Sequence, residues 1–297
     1  EWMKKQDLLS FESLLMFCQY MVAQGIESIR ITGGEPLMRQ GVVHFIRDLQ
    51  ALRTLGLKRI SMTTNAHYLS KYAAQLKQAG LDDLNISLDS LDANQFKKLT
   101  KKELAPVLNG IEAAQKAGLP FKLNCVLIKG QNDDQIVPMV KWAQQQQIPL
   151  RFIEFMPLDG DQHWTGQVVV SEAEILEQLA AHYSIKVIQQ QHEPARSYQL
   201  DGQYQIGIIS TITHSFCGDC DRIRLTAKGD LYNCLFAQQG LNIKPYLANH
   251  FASNEQRQSA YQQLDQQIKP YIWHKAKGYH AIQQQQTRKI SMHMLGG

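Results

Sequence analysis

The sequence predicts an α/β protein whose parallel strands surround a shared interior and whose helices lie outside, and two observations carry that prediction. Strand and helix alternate strictly through the first half of the chain, the pattern of βα units in a parallel sheet or barrel. Within those strands every second residue is polar, whereas parallel strands packed only for stability read as nearly continuous apolar runs.

The elements follow in order. Leu14, Leu15, Cys18, Met21 and Val22 recur at helical spacing, and Gly25 closes that helix before a strand at 26–32. Further strands are predicted at 57–64, 84–88, 121–128 and 149–155, each separated from the last by an amphipathic segment. Gly80 and Gly118 stand where helices end. The polar rows are Arg30 with Thr32; Ser61, Thr63 and Asn65; Asn85, Ser87 and Asp89; Lys122 with Asn124; and Arg151. Ile29, Ile31, Leu84, Ile86 and Leu88 take the alternate positions. A barrel filled for stability alone would use Val, Ile and Leu on the inner face, so the polar rows point to a ligand-lined lumen. An open sheet with one solvated face is the other arrangement that fits.

In the second half, Ser171-x-x-Glu174 is a capping box opening a helix, and 204–211 reads as a strand leading toward the cysteines and closing the open side of the barrel. Residues 158–167 read as a polar linker or lid. Glutamine runs at 144–147, 189–191 and 283–286 read as low-complexity surface.

Composition narrows the setting. With 297 residues, 44% hydrophobic and 20% charged, the chain is an ordinary globular sequence long enough for about two domains. A net charge of +4 argues against a nucleic-acid binder. No apolar run approaches the roughly 18 residues of a membrane span and no signal-peptide pattern opens the chain, so the cytoplasm is the expected compartment. The five cysteines do not form a disulfide framework. Cys18 and Cys125 read as buried thiols in a helix and a strand.

The chemistry is concentrated in two motifs. Thr32-Gly33-Gly34-Glu35-Pro36 puts adjacent glycines at the carboxyl end of a strand, where parallel-sheet sites form, although such a turn alone is a weak signal. Cys217, Cys220 and Cys234 cluster within one short stretch, with Arg222 and Arg224 at i, i+2 inside it. Three thiolates hold zinc with a fourth ligand, or an iron–sulfur cluster with one iron open. Guanidinium groups match phosphate oxygens as bidentate forks and an ammonium matches them as a point charge, so Arg30, Lys122, Arg151, Arg222 and Arg224 suit an anionic small molecule if they converge.

Together these stretches resemble the GTP cyclase family that begins molybdenum-cofactor biosynthesis, within the radical S-adenosylmethionine superfamily. The resemblance runs through Arg30 to Leu37, Thr63-Thr64-Asn65, Asn85 to Asp89, Lys129 to Asp134, Arg151 to Met156, Phe216 to Thr226, Cys234-Leu235-Phe236 and the Gly296-Gly297 tail. It implies a partial (β/α)6 TIM-type barrel at 1–158 and a smaller C-terminal α+β region at 159–297 that closes its open side. It implies a [4Fe-4S] cluster on Cys217, Cys220 and Cys234 whose unique iron takes the guanine ring. Zinc there would need His214, which lies too close in sequence to Cys217. The family's GTP contacts fall on Arg30, Thr63, Lys122, Arg151, Arg222, Ile223 and Arg224. Its S-adenosylmethionine contacts fall on Gly34, Ser87 and Met156, with Asn124 a weaker candidate. The implied reaction removes the ribose 3′ hydrogen of GTP and closes the sugar onto C8, giving 3′,8-cyclo-7,8-dihydroguanosine triphosphate. The next enzyme of molybdopterin synthesis would accept that product, an electron donor is required, and a homodimer is an assembly the resemblance allows.

One feature of the family is absent from these 297 residues: the Cys-x3-Cys-x2-Cys loop that holds the S-adenosylmethionine-cleaving cluster. The expectation is therefore an N-terminally trimmed chain, in which the five strands seen become six in the full-length protein. That protein would carry the second [4Fe-4S] cluster, and the chain as given is expected not to cleave S-adenosylmethionine.

Overall fold

The computed structural model describes residues 7–156, 166–188, 194–214, 220–237, 239–247 and 253–275. Helix α1 (Phe11–Ala23) opens on Ser10, whose hydroxyl accepts from the Ser13 backbone N–H at 3.1 Å. Five βα units follow. Strands β1 (Ser28–Ile31), β2 (Arg59–Thr64), β3 (Asp83–Ser87), β4 (Phe121–Leu127) and β5 (Leu150–Glu154) are joined in turn by α2 (Val42–Leu49), by α3 (Leu69–Gln78), by the pair α4 (Ala93–Thr100) and α5 (Ala105–Lys116), and by α6 (Ile136–Gln145). Each strand pairs in parallel with the next. After helix α7 (Glu172–Ala180), strands β6 (Ile185–Ile188), β7 (Arg196–Leu200) and β8 (Tyr204–Ile209) rejoin the same sheet. β8 pairs in parallel with β5, and β7 and β6 continue antiparallel, giving the order β1-β2-β3-β4-β5-β8-β7-β6.

The strand expected at 204–211 forms as β8, but it joins the sheet between β5 and β7 as the sixth parallel strand among the described residues, and the sheet runs on to β6. β6 and β7 were not anticipated. Their polar residues, such as Arg196, Ser197 and Gln199, sit beside a glutamine run and read as loop.

The alternation resolves as a two-faced sheet. Leu84, Ile86, Leu123, Cys125, Leu127 and Phe152 are fully buried in the core shared with the helices, and the intervening residues form the opposite, inner face. Gly110 on α5 allows the close crossing of α3 and α5, because a β-carbon there would meet the Ala66 carbonyl oxygen at 2.4 Å. The capping box on α7 is complete, with Ser171 and Glu174 bonded reciprocally.

A second core lies outside the barrel. Strands β9 (Arg224–Leu225), β10 (Asp230–Tyr232) and β11 (Leu241–Asn242), with helices α8 (Lys244–Leu247) and α9 (Asn254–Trp273), pack Leu231, Ile243, Leu247, Leu264 and Ile268 against Phe17, Tyr20 and Met21 of α1. No described helix is long and apolar enough to cross a membrane. Cys217, the glutamine runs at 189–191 and 283–286, most of the linker at 158–167 and the Gly296-Gly297 tail lie outside the described residues.

Candidate active site at the carboxyl ends of the strands

Register stacks the inner-face residues in three tiers. Arg30, Ser61 and Asp83 are partners across β1, β2 and β3, and Arg30 Nε donates to Ser61 Oγ at 3.3 Å. Thr63, Asn85 and Lys122 form the next tier. Ser87, Asn124, Arg151 and Gly207 form the third, nearest the carboxyl ends. Asn85 Nδ2, Asn124 Oδ1 and Asp83 Oδ1 are buried without a hydrogen-bond partner. Orphaned polar atoms are rare in interiors, and here all three belong to the inner face of adjacent strands, which suits a polar ligand and not a packed core.

The Gly33–Gly34 turn follows β1, with Gly33 at φ 138°. Glu35 anchors it to the end of β2: Thr64 Oγ1 and the Asn65 backbone N–H donate to its carboxylate at 2.8 Å each, and the Leu37 N–H donates at 3.0 Å. Burial nonetheless holds the Glu35 pKa above the usual carboxylate range against these three donors. Because the strands are parallel, the Gly34 turn, Ser87 and Met156 all stand at the same end of the sheet.

The cysteine segment approaches the barrel at Arg30. The Arg224 pKa is lowered to about 10, first by desolvation and then by Arg222 and Arg30, while Cys220 and Cys234 oppose the fall. One guanidinium thus senses both described thiols and a barrel cation. Arg30 is depressed likewise by desolvation and by Arg59, Arg222 and Arg151, with Asp83 opposing. Cations this crowded are relieved by an anion. Ile223, between the two arginines, turns the other way into the second core. Burial raises the Cys220 pKa, but hydrogen bonds from the Arg222 backbone and side chain, with the charges of Arg222 and Lys275, outweigh it and the net shift is downward. A thiol held toward its thiolate suits a soft metal or cluster. Cys18 and Cys125 differ: desolvation pushes Cys18 up to about 12 and Cys125 well above its ordinary value, so both are core thiols. His214 Nδ1 lies 3.3 Å from Glu172 Oε2.

Three residues that shape the site were not singled out from sequence. Glu154, fully buried at the end of β5, accepts from the backbone N–H groups of Ile212 at 2.8 Å and Thr213 at 3.0 Å and from Thr213 Oγ1 at 2.5 Å. It thereby fixes the loop that leads toward Cys217. Glu172 receives the Ser210 hydroxyl at 2.8 Å and the Tyr198 hydroxyl. Lys275, just beyond α9, donates to the carbonyls of Cys220 and, at 3.1 Å, Arg222. Only the Glu154 stretch carried a signal, as part of the run from Arg151 to Met156.

The family models that match this fold define its class, a radical S-adenosylmethionine protein. Residues 1–143 match the Radical SAM superfamily model and residues 148–281 match Molybdenum Cofactor Synthesis C. The structure superposes on Streptococcus suis SuiB bound to S-adenosylmethionine with a TM-score of 0.56 at 14% identity, over 88% of this chain and 59% of that one. It superposes on native anSMEcpe with bound AdoMet and Cp18Cys peptide with a TM-score of 0.52 at 16% identity, over 84% and 74%. These likenesses show the fold. Sequence relatives narrow the class: a GTP 3′,8-cyclase of Pseudomonas putida (strain W619) is 39% identical over 92% of this chain and 83% of its own length. One of Staphylococcus haemolyticus (strain JCSC1435) is 33% identical over 100% and 88%. The chain belongs to the GTP 3′,8-cyclase family.

Proposed function

We propose that this chain binds GTP inside the barrel as the substrate of the GTP 3′,8-cyclase reaction, which forms 3′,8-cyclo-7,8-dihydroguanosine triphosphate for molybdenum-cofactor synthesis. The observation that carries the reading is the convergence at Arg224, where two thiols, Arg222 and Arg30 act on one guanidinium. Arg30, Lys122 and Arg151, with Thr63, bind and orient the triphosphate. Arg222 and Arg224, with the Ile223 backbone, hold the guanine end beside the thiols. Gly34, Ser87 and Met156 receive S-adenosylmethionine at the strand ends, and Asn124 adjoins Ser87. Cys217, Cys220 and Cys234 hold a [4Fe-4S] cluster. When bound, the cluster would supply an open iron for the base, and S-adenosylmethionine would supply the radical chemistry of the superfamily. The chain's own contribution is positioning and the exclusion of water. The division at 158, a cytoplasmic setting, an electron donor and a following molybdopterin enzyme that takes the product complete the proposal.

Metal analysis and calorimetry on anaerobically prepared protein test it together. The expected result is about four irons with matching sulfide at the three-cysteine site and saturable GTP binding that weakens when Arg222 or Arg224 is replaced by Ala. Stoichiometric zinc without iron or sulfide would instead mark a zinc-binding, non-catalytic homologue.

A further inference from the structure

We propose that Asn85 is a nucleotide-binding residue whose side-chain amide donates to a phosphate oxygen of the substrate. The inference deepens the GTP reading and rests on it.

Asn85 is only 2% exposed, yet its Nδ2 has no hydrogen-bond partner. Its strand neighbours Leu84 and Ile86 are fully buried in the core that faces the helices, so Asn85 points to the lumen. A buried amide without a partner lowers stability, and an aliphatic side chain of similar size would serve the fold better. The position is therefore explained by something the lumen receives.

The surrounding tier says what that is. Register places Thr63 on one side of Asn85 and Lys122 on the other. Hydroxyl, amide and ammonium make a run of three donors across adjacent strands, with Arg30 in the tier below and Arg151 in the tier above. Successive donors among cations suit an oxyanion. Asp83, two residues before Asn85 on the same face, limits its depth. Its Oδ2 pairs with Arg59 at 2.6 Å and its Oδ1 is unpartnered, so its negative charge forms a floor that a phosphate does not cross. One tier up, the unpartnered Asn124 Oδ1 offers an acceptor. Thr63, Asn85 and Lys122 thus form the donor tier that a phosphate meets, and Asn124, beside Arg151 one tier nearer the mouth, adds an acceptor for a hydroxyl of the same ligand.

The test titrates wild type, Asn85→Ala and Asn85→Leu anaerobically with tripolyphosphate, GTP and guanosine, and records thermal melts of the unliganded proteins. The expected result is at least ~10-fold weaker binding of tripolyphosphate and GTP by both variants, guanosine affinity unchanged, and Asn85→Leu melting no lower than wild type. Unchanged tripolyphosphate affinity would overturn the proposal, as would an equal loss for guanosine, the mark of a structural role. Asn85-dependent binding of tripolyphosphate by a protein that fails to bind GTP would overturn the substrate assignment and leave the phosphate contact standing.

Discussion

Gly207 lies against the aliphatic stem of Arg151: a β-carbon built at 207 would stand 3.0 Å from Arg151 Cγ and 3.2 Å from Ala195 Cβ. The two residues are register partners on β8 and β5, so the missing side chain gives Arg151 its path across the inner face. Gly207→Val is predicted to displace the guanidinium and weaken GTP binding by ~10-fold, at a stability cost of about 1–3 kcal/mol from overpacking. Calorimetry with GTP and a thermal melt check both parts, and undiminished GTP affinity in a folded variant would remove Arg151 from the site.

Glu154 gathers three donors from Ile212 and Thr213 into one buried carboxylate. Glu154→Ala leaves those donors without partners and is predicted to cost about 3 kcal/mol or more, since hydrogen bonds to a buried charge are among the expensive ones to lose. Because the same loop leads toward Cys217, iron content after anaerobic reconstitution is predicted to fall as well. Glu154→Gln keeps part of the acceptor set and falls between the two. A variant with full iron content and a lowered melting temperature would confine Glu154 to stability.

Lys275 joins the end of α9 to the cysteine segment through the carbonyls of Cys220 and Arg222. On the other side of the same turn, Asn233 Nδ2 donates to the Tyr271 carbonyl at 2.8 Å, next to Cys234. The C-terminal turn of α9 thus holds both described thiol-bearing segments. Lys275→Met is predicted to change the electron paramagnetic resonance signature of the reduced cluster and to weaken GTP binding several-fold. S-adenosylmethionine binding is predicted to stay the same. An unaltered spectrum would show that the clasp does not set the thiol geometry.

The barrel and its polar lining were legible because both are periodic: alternation with a step of two marks the inner face, and Gly25, Gly80 and Gly118 mark the ends of α1, α3 and α5. Arg30, Lys122 and Arg151 could be read from single strands, and the structure adds that they belong to different tiers. Gly207 and Asn85 could not be weighed in the same way. Gly207 matters only through its partner strand, and a buried Asn is a routine residue until its amide is seen to lack an acceptor. Lys275 reaches across 55 positions to Cys220, and Ile212 donates to Glu154 across 58, distances at which no local pattern survives. The second core escaped for a related reason, since its strands β9 and β11 are two residues long, too short to show a period.

Asp89 gives the chain a pH dependence that is separate from ligand binding. Desolvation raises its carboxyl pKa from the ordinary aspartate value of 3.8 to about 6, although the Val126 backbone N–H donates to it at 2.9 Å. The folded pKa is raised, so folding takes up a proton between about pH 4 and pH 6, and stability falls as pH rises through that window. The accumulated loss is on the order of 3 kcal/mol above pH 7. Asp89→Asn retains an acceptor for Val126 and removes the titration. The difference in urea unfolding free energy between wild type and Asp89→Asn is therefore predicted to move in favour of the variant by on the order of 3 kcal/mol between pH 4 and pH 7, and to stay level above that. A difference that does not change across the window would place the Asp89 carboxylate in a solvated, ordinary environment.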